Sequence, residues 1–284
     1  MKQHMHRLPL PHLLAAAAST MMFIAGVRAQ TSGASPAADQ EPASAELVKK
    51  LQNPLANLIS LPVQNDWDFN IGPAKAMHYN ANVQPVIPIS LSEDWLLITR
   101  TIVPVVYRES PLPGSKNKTG VGDILQSLFL SPTNQVSGWI VGAGAALLYP
   151  GASDAVLGMK KWGAGPTVVA LRQGKGFTFG ALVNRVWSYA GWGNTPVDAS
   201  YLQPFGSVTL KSYTTFGFDT ESTYDREHRQ WTVALNTMVS QLFKIGGQPL
   251  QFSVGARYYA DKPVGGPNWG IRSNITLLFP EGAR

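Results

Sequence analysis

The stretch W-G-I-R-S-N-I-T-L-L-F, residues 269–279, decides the fold. Side chains of a β-strand alternate between its two faces. Trp269, Ile271, Ser273, Ile275, Leu277 and Phe279 therefore share one face, and Gly270, Arg272, Asn274, Thr276 and Leu278 share the other. The first face is apolar with an aromatic at each end. The second carries a charge and an amide. Over about ten residues, that dyad is the pattern of a transmembrane β-strand with aromatic anchors at both membrane surfaces. A soluble sandwich strand can show the same alternation, so its recurrence and the connections have to decide.

The alternation recurs. Tyr79, Ala81, Val83, Pro85, Ile87 and Ile89 alternate with Asn80, Asn82, Gln84, Val86 and Pro88. Trp139, Val141, Ala143, Ala145, Leu147 and Tyr149 form an apolar face with aromatics at both ends, and Trp231, Val233, Leu235, Thr237, Val239, Gln241 and Phe243 nearly repeat it. Leu250, Phe252, Val254, Ala256 and Tyr258 alternate with Gln251, Ser253, Gly255, Arg257 and Tyr259. Less regular strands are expected near 64–72, 95–107, 120–131, 161–171, 176–189, 200–210 and 213–221, giving about twelve in all. Pro85, Pro88 and Pro104 fall inside these runs, which predicts local bulges in the second and third strands. Arg185 interrupts the apolar face of strand 176–189, which calls for a bulge or a different register there.

The connections alternate in length. Residues 108–119, 150–160, 190–199, 222–229 and 261–268 form the longer set, and 90–94, 132–136, 172–175, 211–213 and 244–249 the shorter. Outer-membrane barrels have long external loops and short periplasmic turns. An even strand number then puts both termini on the periplasmic side. The expectation is an all-β fold: a transmembrane antiparallel barrel over 64–280, narrower than a porin of 16–18 strands, with a narrow or gated lumen.

Residues 1–29 read as a secretory signal: Lys2 and Arg7 precede an apolar stretch that ends at Val27-Arg28-Ala29, with cleavage expected after Ala29. Residues 30–63 read as a periplasmic leader. Leu47, Leu51, Leu55, Leu58 and Ile59 lie near helical spacing in 44–61, with Pro54 interrupting. A tether is the favoured reading of that segment, and a plug in the barrel mouth the alternative. Residues 281–284 form a short tail, which leaves the aromatic of the last strand, Phe279, internal. Loss of Lys2, Arg7 and Arg28 takes the net charge from +6 to +3, too weak a basic balance for nucleic acid. The chain has no Cys, so there is neither a disulfide framework nor a thiolate site. Only His78 and His228 lie outside the signal, so no metal and no cofactor is expected. The expected partners are outer-membrane lipid, the barrel assembly machinery and a small solute.

Several stretches carry a family resemblance: N-P-L-A-N-L-I-S-L-P-V-Q-N-D-W-D-F-N-I-G-P (53–73), N-V-Q-P-V-I-P-I-S (82–90), D-W-L-L-I-T-R-T-I-V-P-V-V-Y (94–107), G-V-G-D-I (120–124), K-W-G-A-G-P (161–166), V-G-A-R-Y-Y-A (254–260) and N-W-G-I-R (268–272). Together with T-E-S-T-Y-D (220–225), Q-W-T-V (230–233) and K-I-G-G-Q-P (244–249), these resemble the bacterial family labelled for the MetA pathway of phenol degradation, over about residues 53–280. The resemblance implies an outer-membrane barrel that carries small solutes, aromatic ones included. It supplies no catalytic residue.

Inward faces are expected to hold Asn82, Gln84, Arg100, Asp123, Asn236, Gln251, Arg257, Tyr259, Arg272 and Asn274. Arg100, Arg257 and Arg272 could form a positive strip that attracts anions such as carboxylated aromatics. The competing expectation is that they pair with Asp123, Asp219 and Glu221 and hold the lumen together. Trp139, Tyr149, Trp231, Phe243, Trp269 and Phe279 are expected at the membrane interfaces; Trp162 or Tyr259 could instead stack an aromatic solute. Ser222, Asp225, Glu227 and His228 cluster in sequence, but a solvated loop cluster is the expected outcome, and a hydrolase is disfavoured. The leading function is passage of small solutes; the alternative is a structural or receptor barrel that transports nothing.

Overall fold

The computed structural model describes residues 40–193 and 195–280. The expected signal, the first part of the leader and the tail at 281–284 lie outside the described residues. Among those residues the chain forms one helix, α1 (Gln40–Leu51), and a closed barrel of twelve antiparallel strands. The strands are β1 (Ile59–Ile71), β2 (segments Ala76–Val83 and Val86–Ser90), β3 (Trp95–Arg108), β4 (segments Lys118–Val121 and Ile124–Pro132), β5 (Ile140–Tyr149) and β6 (Lys161–Gln173). They continue with β7 (Phe177–Gly191), β8 (Asp198–Thr209), β9 (Thr214–Asp225), β10 (Gln230–Ile245), β11 (Gln248–Asp261) and β12 (Trp269–Phe279). Each strand pairs with its neighbours in sequence. β12 returns to β1 from Ile59↔Phe279 to Phe69↔Trp269, leaving no edge. The first strand begins at Ile59, ahead of the 64 read from the sequence.

The pattern of the last strand is reproduced around the cylinder. Trp269, Ile271, Ile275 and Phe279 are exposed on the outside, while Arg272, Thr276 and Leu278 are buried inside. Val168, Val183, Phe216, Phe218, Val239 and Val254 continue the exposed outer surface. A soluble monomer rarely shows so extensive an apolar face; a membrane barrel requires it. Aromatic pairs ring both rims. Phe69–Trp269 (4.6 Å), Tyr224–Trp231 (4.9 Å) and Tyr149–Trp162 (5.6 Å) lie at one end, and Trp139–Phe179 (5.8 Å) at the other, where Phe243 and Phe279 also stand exposed.

The connections 109–117, 150–160 and 262–268 gather at the first rim, and the tight turns 91–94, 174–176, 210–213 and 246–247 at the second. Gly246 and Gly247, with φ of 56° and 84°, make a two-residue turn that only left-handed backbone can close. The shorter bound 213–221 for the ninth strand is corrected to β9, which runs on to Asp225 and leaves only 226–229 as a loop.

The prolines act differently from the expected bulges. At Gln84–Pro85 the ladder of β2 is interrupted, yet Val83↔Val103 and Val86↔Arg100 belong to one register. Pro85 removes a donor but inserts no residue. The bulge is in β4 instead, opposite Pro104. The pairing shifts there from Val105↔Val121 to Ile102↔Leu125, and Gly122 N–H donates to the Pro104 carbonyl. Arg185 needs no bulge: it points outward, paired to Asp198 at 2.8 Å and lying over Trp187.

Lysine at Ile275, near the middle of the outer face, is expected to lower the unfolding free energy in lipid vesicles by about 2–4 kcal/mol. Phe279→Lys at the rim is expected to cost about 0–1 kcal/mol. Urea titration of both refolded variants checks this, and equal losses would contradict the depth assignment.

Candidate functional site

The alternation that builds the outer face sends the polar set inward, where three layers follow one another along the lumen. The first is ionic. Asp66 on β1 stands directly opposite Arg272 on β12. Arg272 donates to Asp66 from Nε (2.6 Å) and Nη2 (3.0 Å), and to Glu221 on β9 from Nη1 (2.8 Å) and Nη2 (3.0 Å). Arg257 on β11 lies 2.8 Å from Asp66, 3.5 Å from Asp68 and 3.2 Å from Glu221, and donates to the Tyr259 hydroxyl at 3.1 Å. Two guanidinium groups and three carboxylates are thus tied across the lumen. Removing charges from water is costly unless such pairing compensates. Beside this layer, Asp219 accepts from Asn236 (2.9 Å) and Gln203 (3.3 Å).

The second layer is a chamber of about 290 Å³. Arg100, Gln84, Asn82, Asn184, Tyr201 and Gln203 line it, with Ile102, Leu125 and Leu182 as its apolar lining. Arg100 donates from Nε and Nη2 to Gln84 Oε1. A second space of about 290 Å³ continues past Gln64, Asn274 and Thr276 toward the tight-turn end.

The third layer is apolar, and the N-terminal segment completes it. Helix α1 ends at Leu51, before Pro54, and the following turn is pinned by Asn53 Oδ1, which accepts from Leu55 N–H at 2.9 Å. Leu55 then inserts among Leu96, Ile98, Phe129, Val169, Leu171 and Leu182. Ala56 and Leu58 pack on Leu278. Gly142 makes room, since a Cβ there would stand 2.9 Å from Leu55 Cδ2. Gln173 Nε2 ties the Lys49 carbonyl to the wall at 2.9 Å. The favoured tether reading is therefore corrected: the segment plugs the tight-turn end. Burying one leucine this way contributes about 1.5–3 kcal/mol.

Of the residues singled out in the sequence, Gln84, Arg100, Asn236, Arg257, Tyr259, Arg272 and Asn274 are on inward faces. Asp123 is corrected. The β4 bulge takes it out of the lumen, and its carboxylate accepts from the backbone of Ala152, Met159 and Lys160, stapling the 150–160 loop. Arg257 and Arg272 make no open positive strip with Arg100, because Asp66 and Glu221 neutralise them. Tyr259 is committed to Arg257, and Trp162 faces outward against Tyr149, so neither lines the chamber; Tyr201 does. Sequence reasoning missed Asp66, Asp68, Tyr201 and the insertion of Leu55. The alternation of D-W-D-F (66–69) carried the signal for the two aspartates. His228 Nδ1 lies 2.7 Å from Asp225 in an exposed turn, while the Ser222 hydroxyl sits against Thr220 at 3.4 Å. The serine and histidine are therefore not joined.

No protein-family model matches the chain, and the search of curated proteins finds no match. Solved structures do. The chain is similar to the COG4313 outer membrane channel from Pseudomonas putida F1, with TM-score 0.61 and 14% identity over 78% of this chain and 96% of that one. It is also similar to the NanC porin, with TM-score 0.50 and 12% identity over 78% of this chain and 99% of that one. At these identities the likeness is one of fold: the chain has the fold of outer-membrane barrels.

Glu221→Gln is expected to destabilise the folded barrel by about 3–5 kcal/mol, because it leaves buried guanidinium charge uncompensated. Glu46→Gln, which removes an exposed pair with Lys50 on α1, is expected to change stability by less than about 1 kcal/mol. Urea titration in vesicles compares the two, and a loss at Glu221 no larger than at Glu46 would contradict the ionic layer.

Proposed function

We propose that the protein is an outer-membrane channel for small solutes, aromatic ones included, held closed by its own N-terminal segment. One observation carries this reading. The outer wall is apolar and ringed by aromatics, while the lumen keeps a polar chamber between the ionic layer and the plug. A barrel that served only as a membrane anchor has no need of unfilled polar space. Two neighbours in fold bear the names of a channel and a porin, which accords with passage. The resemblance to the phenol-degradation family accords with aromatic cargo. In this reading the long loops face outward and the plug faces the periplasm.

The gate follows from the packing. Leu55 fills a gap that Gly142 leaves open, so the plug is held by apolar contact that displacement can undo. The ionic layer narrows the lumen from the other side. Wild-type conductance should therefore be small.

Planar-bilayer recording of the refolded chain tests the reading. Discrete small steps are expected from the wild type. Gly142→Leu, which collides with Leu55, and deletion of 40–57 are each expected to raise unit conductance several-fold. Silence from all three, in barrels whose heat-modifiable gel mobility shows that they are folded, would overturn the channel reading in favour of a structural or receptor barrel.

A further inference from the structure

The arginines of the lumen are not equivalent. Arg257 and Arg272 share Asp66 and Glu221 within ion-pair distance. Arg100 has no carboxylate within that distance among the described residues. Its hydrogen bonds go to the neutral carbonyl of Gln84, although Glu221 and Arg272 lie within electrostatic reach. A cation inside a lumen is costly unless an anion or water meets it. The space in front of Arg100 is the 290 Å³ chamber, room for about ten waters at about 30 Å³ each or one single-ring molecule.

We infer that this chamber is a binding site for a small monocarboxylate with an apolar body, such as one aromatic ring. The inference rests on the channel reading only for how the ligand arrives. Arg100 offers a forked donor to a carboxylate. Asn82 on the neighbouring β2, and Asn184 and Gln203 on β7 and β8, offer amide donors, and Tyr201 a hydroxyl. Ile102 on the same strand as Arg100, its cross-strand partner Leu125 and, from β7, Leu182 supply the apolar lining. Glu221 and Asp66, with Arg257 and Arg272 paired to them, border the chamber from the ionic layer and offset one another, so the charge left to meet is that of Arg100, which a monoanion matches and a dianion such as phosphate exceeds. A neutral alcohol of the same shape would leave the guanidinium without its anion.

Isothermal titration of the refolded, detergent-solubilised chain with benzoate, benzyl alcohol and inorganic phosphate tests the site. Benzoate is expected to bind, with benzyl alcohol and phosphate each weaker by about tenfold or more. Arg100→Gln should weaken benzoate by about tenfold or more, with partial recovery in Arg100→Lys, while Lys244→Gln at a tight turn changes nothing. If Arg100→Gln does not fold, Leu125→Glu serves instead: a carboxylate on the strand beside Arg100 should abolish benzoate binding. The same benzoate affinity in wild type and in the folded Arg100 or Leu125 variant, no benzoate binding by the folded wild type, or phosphate bound as tightly as benzoate would each overturn the inference. Conductance of the same preparation separates the two readings. Steps without benzoate binding sink the site alone, and benzoate binding with silence from the wild type, Gly142→Leu and the 40–57 deletion sinks the channel alone.

Discussion

The pairing of the first strand with the last is the constraint on which the rest of the structure depends. Hydrocarbon offers no partner to an unpaired N–H or C=O, so a sheet that crosses a membrane must close. β1 and β12 meet that requirement from Ile59↔Phe279 to Phe69↔Trp269. Closure also fixes parity. Once Trp67 faces Ile271 on the outside, Asp66 must face Arg272 on the inside, and every strand between inherits the same division. The proline interruptions are tolerated for this reason. Pro85 costs a hydrogen bond but leaves the register of β2 intact, and the bulge opposite Pro104 is confined to Gly122–Ile124, near the rim.

A cylinder of twelve strands is too narrow to keep many charges apart in water. The lumen solves this locally. Around Arg272 the carboxylates of Asp66 and Glu221 are close enough to share its donors, and that layer becomes a cross-brace. Toward the tight turns the wall turns apolar, and Leu55 fills it as a core residue would. The polar chamber lies between. Of the three guanidinium groups that border it, Arg100 is held by an amide where Arg257 and Arg272 are held by acids. On the proposed reading, the division into brace, chamber and plug gives the chain a place to hold a solute and a part that moves.

Much of the barrel was legible in the sequence because a period of two is a geometric fact about strands. Residues 269–279 alone separate outside from inside, and the aromatic ends of 139–149 and 231–243 mark the rims. What was not legible depends on register between distant strands. Asp66 and Arg272 are 206 residues apart and become partners only through closure. Glu221 reaches them across the lumen from β9, which no local pattern encodes. Asp123 obeys the alternation and still leaves the lumen, because one inserted residue in β4 breaks the parity on which that reading relied. The leucines of 44–61 told that the segment buries an apolar stripe, but not against what. The cavity that receives Leu55 is assembled from β3, β4, β5, β6 and β7.

The most direct test of the account exploits the absence of cysteine from the chain. Leu55→Cys and Ile140→Cys, two residues that share the apolar layer, can be joined by a short, cleavable bis-maleimide and the barrel recorded in a planar bilayer. A plugged channel predicts that the joined protein stays closed and that cleavage restores discrete steps in the same membrane. Undiminished conductance with the link intact would mean that the segment does not close the path, and the account would fail at its centre.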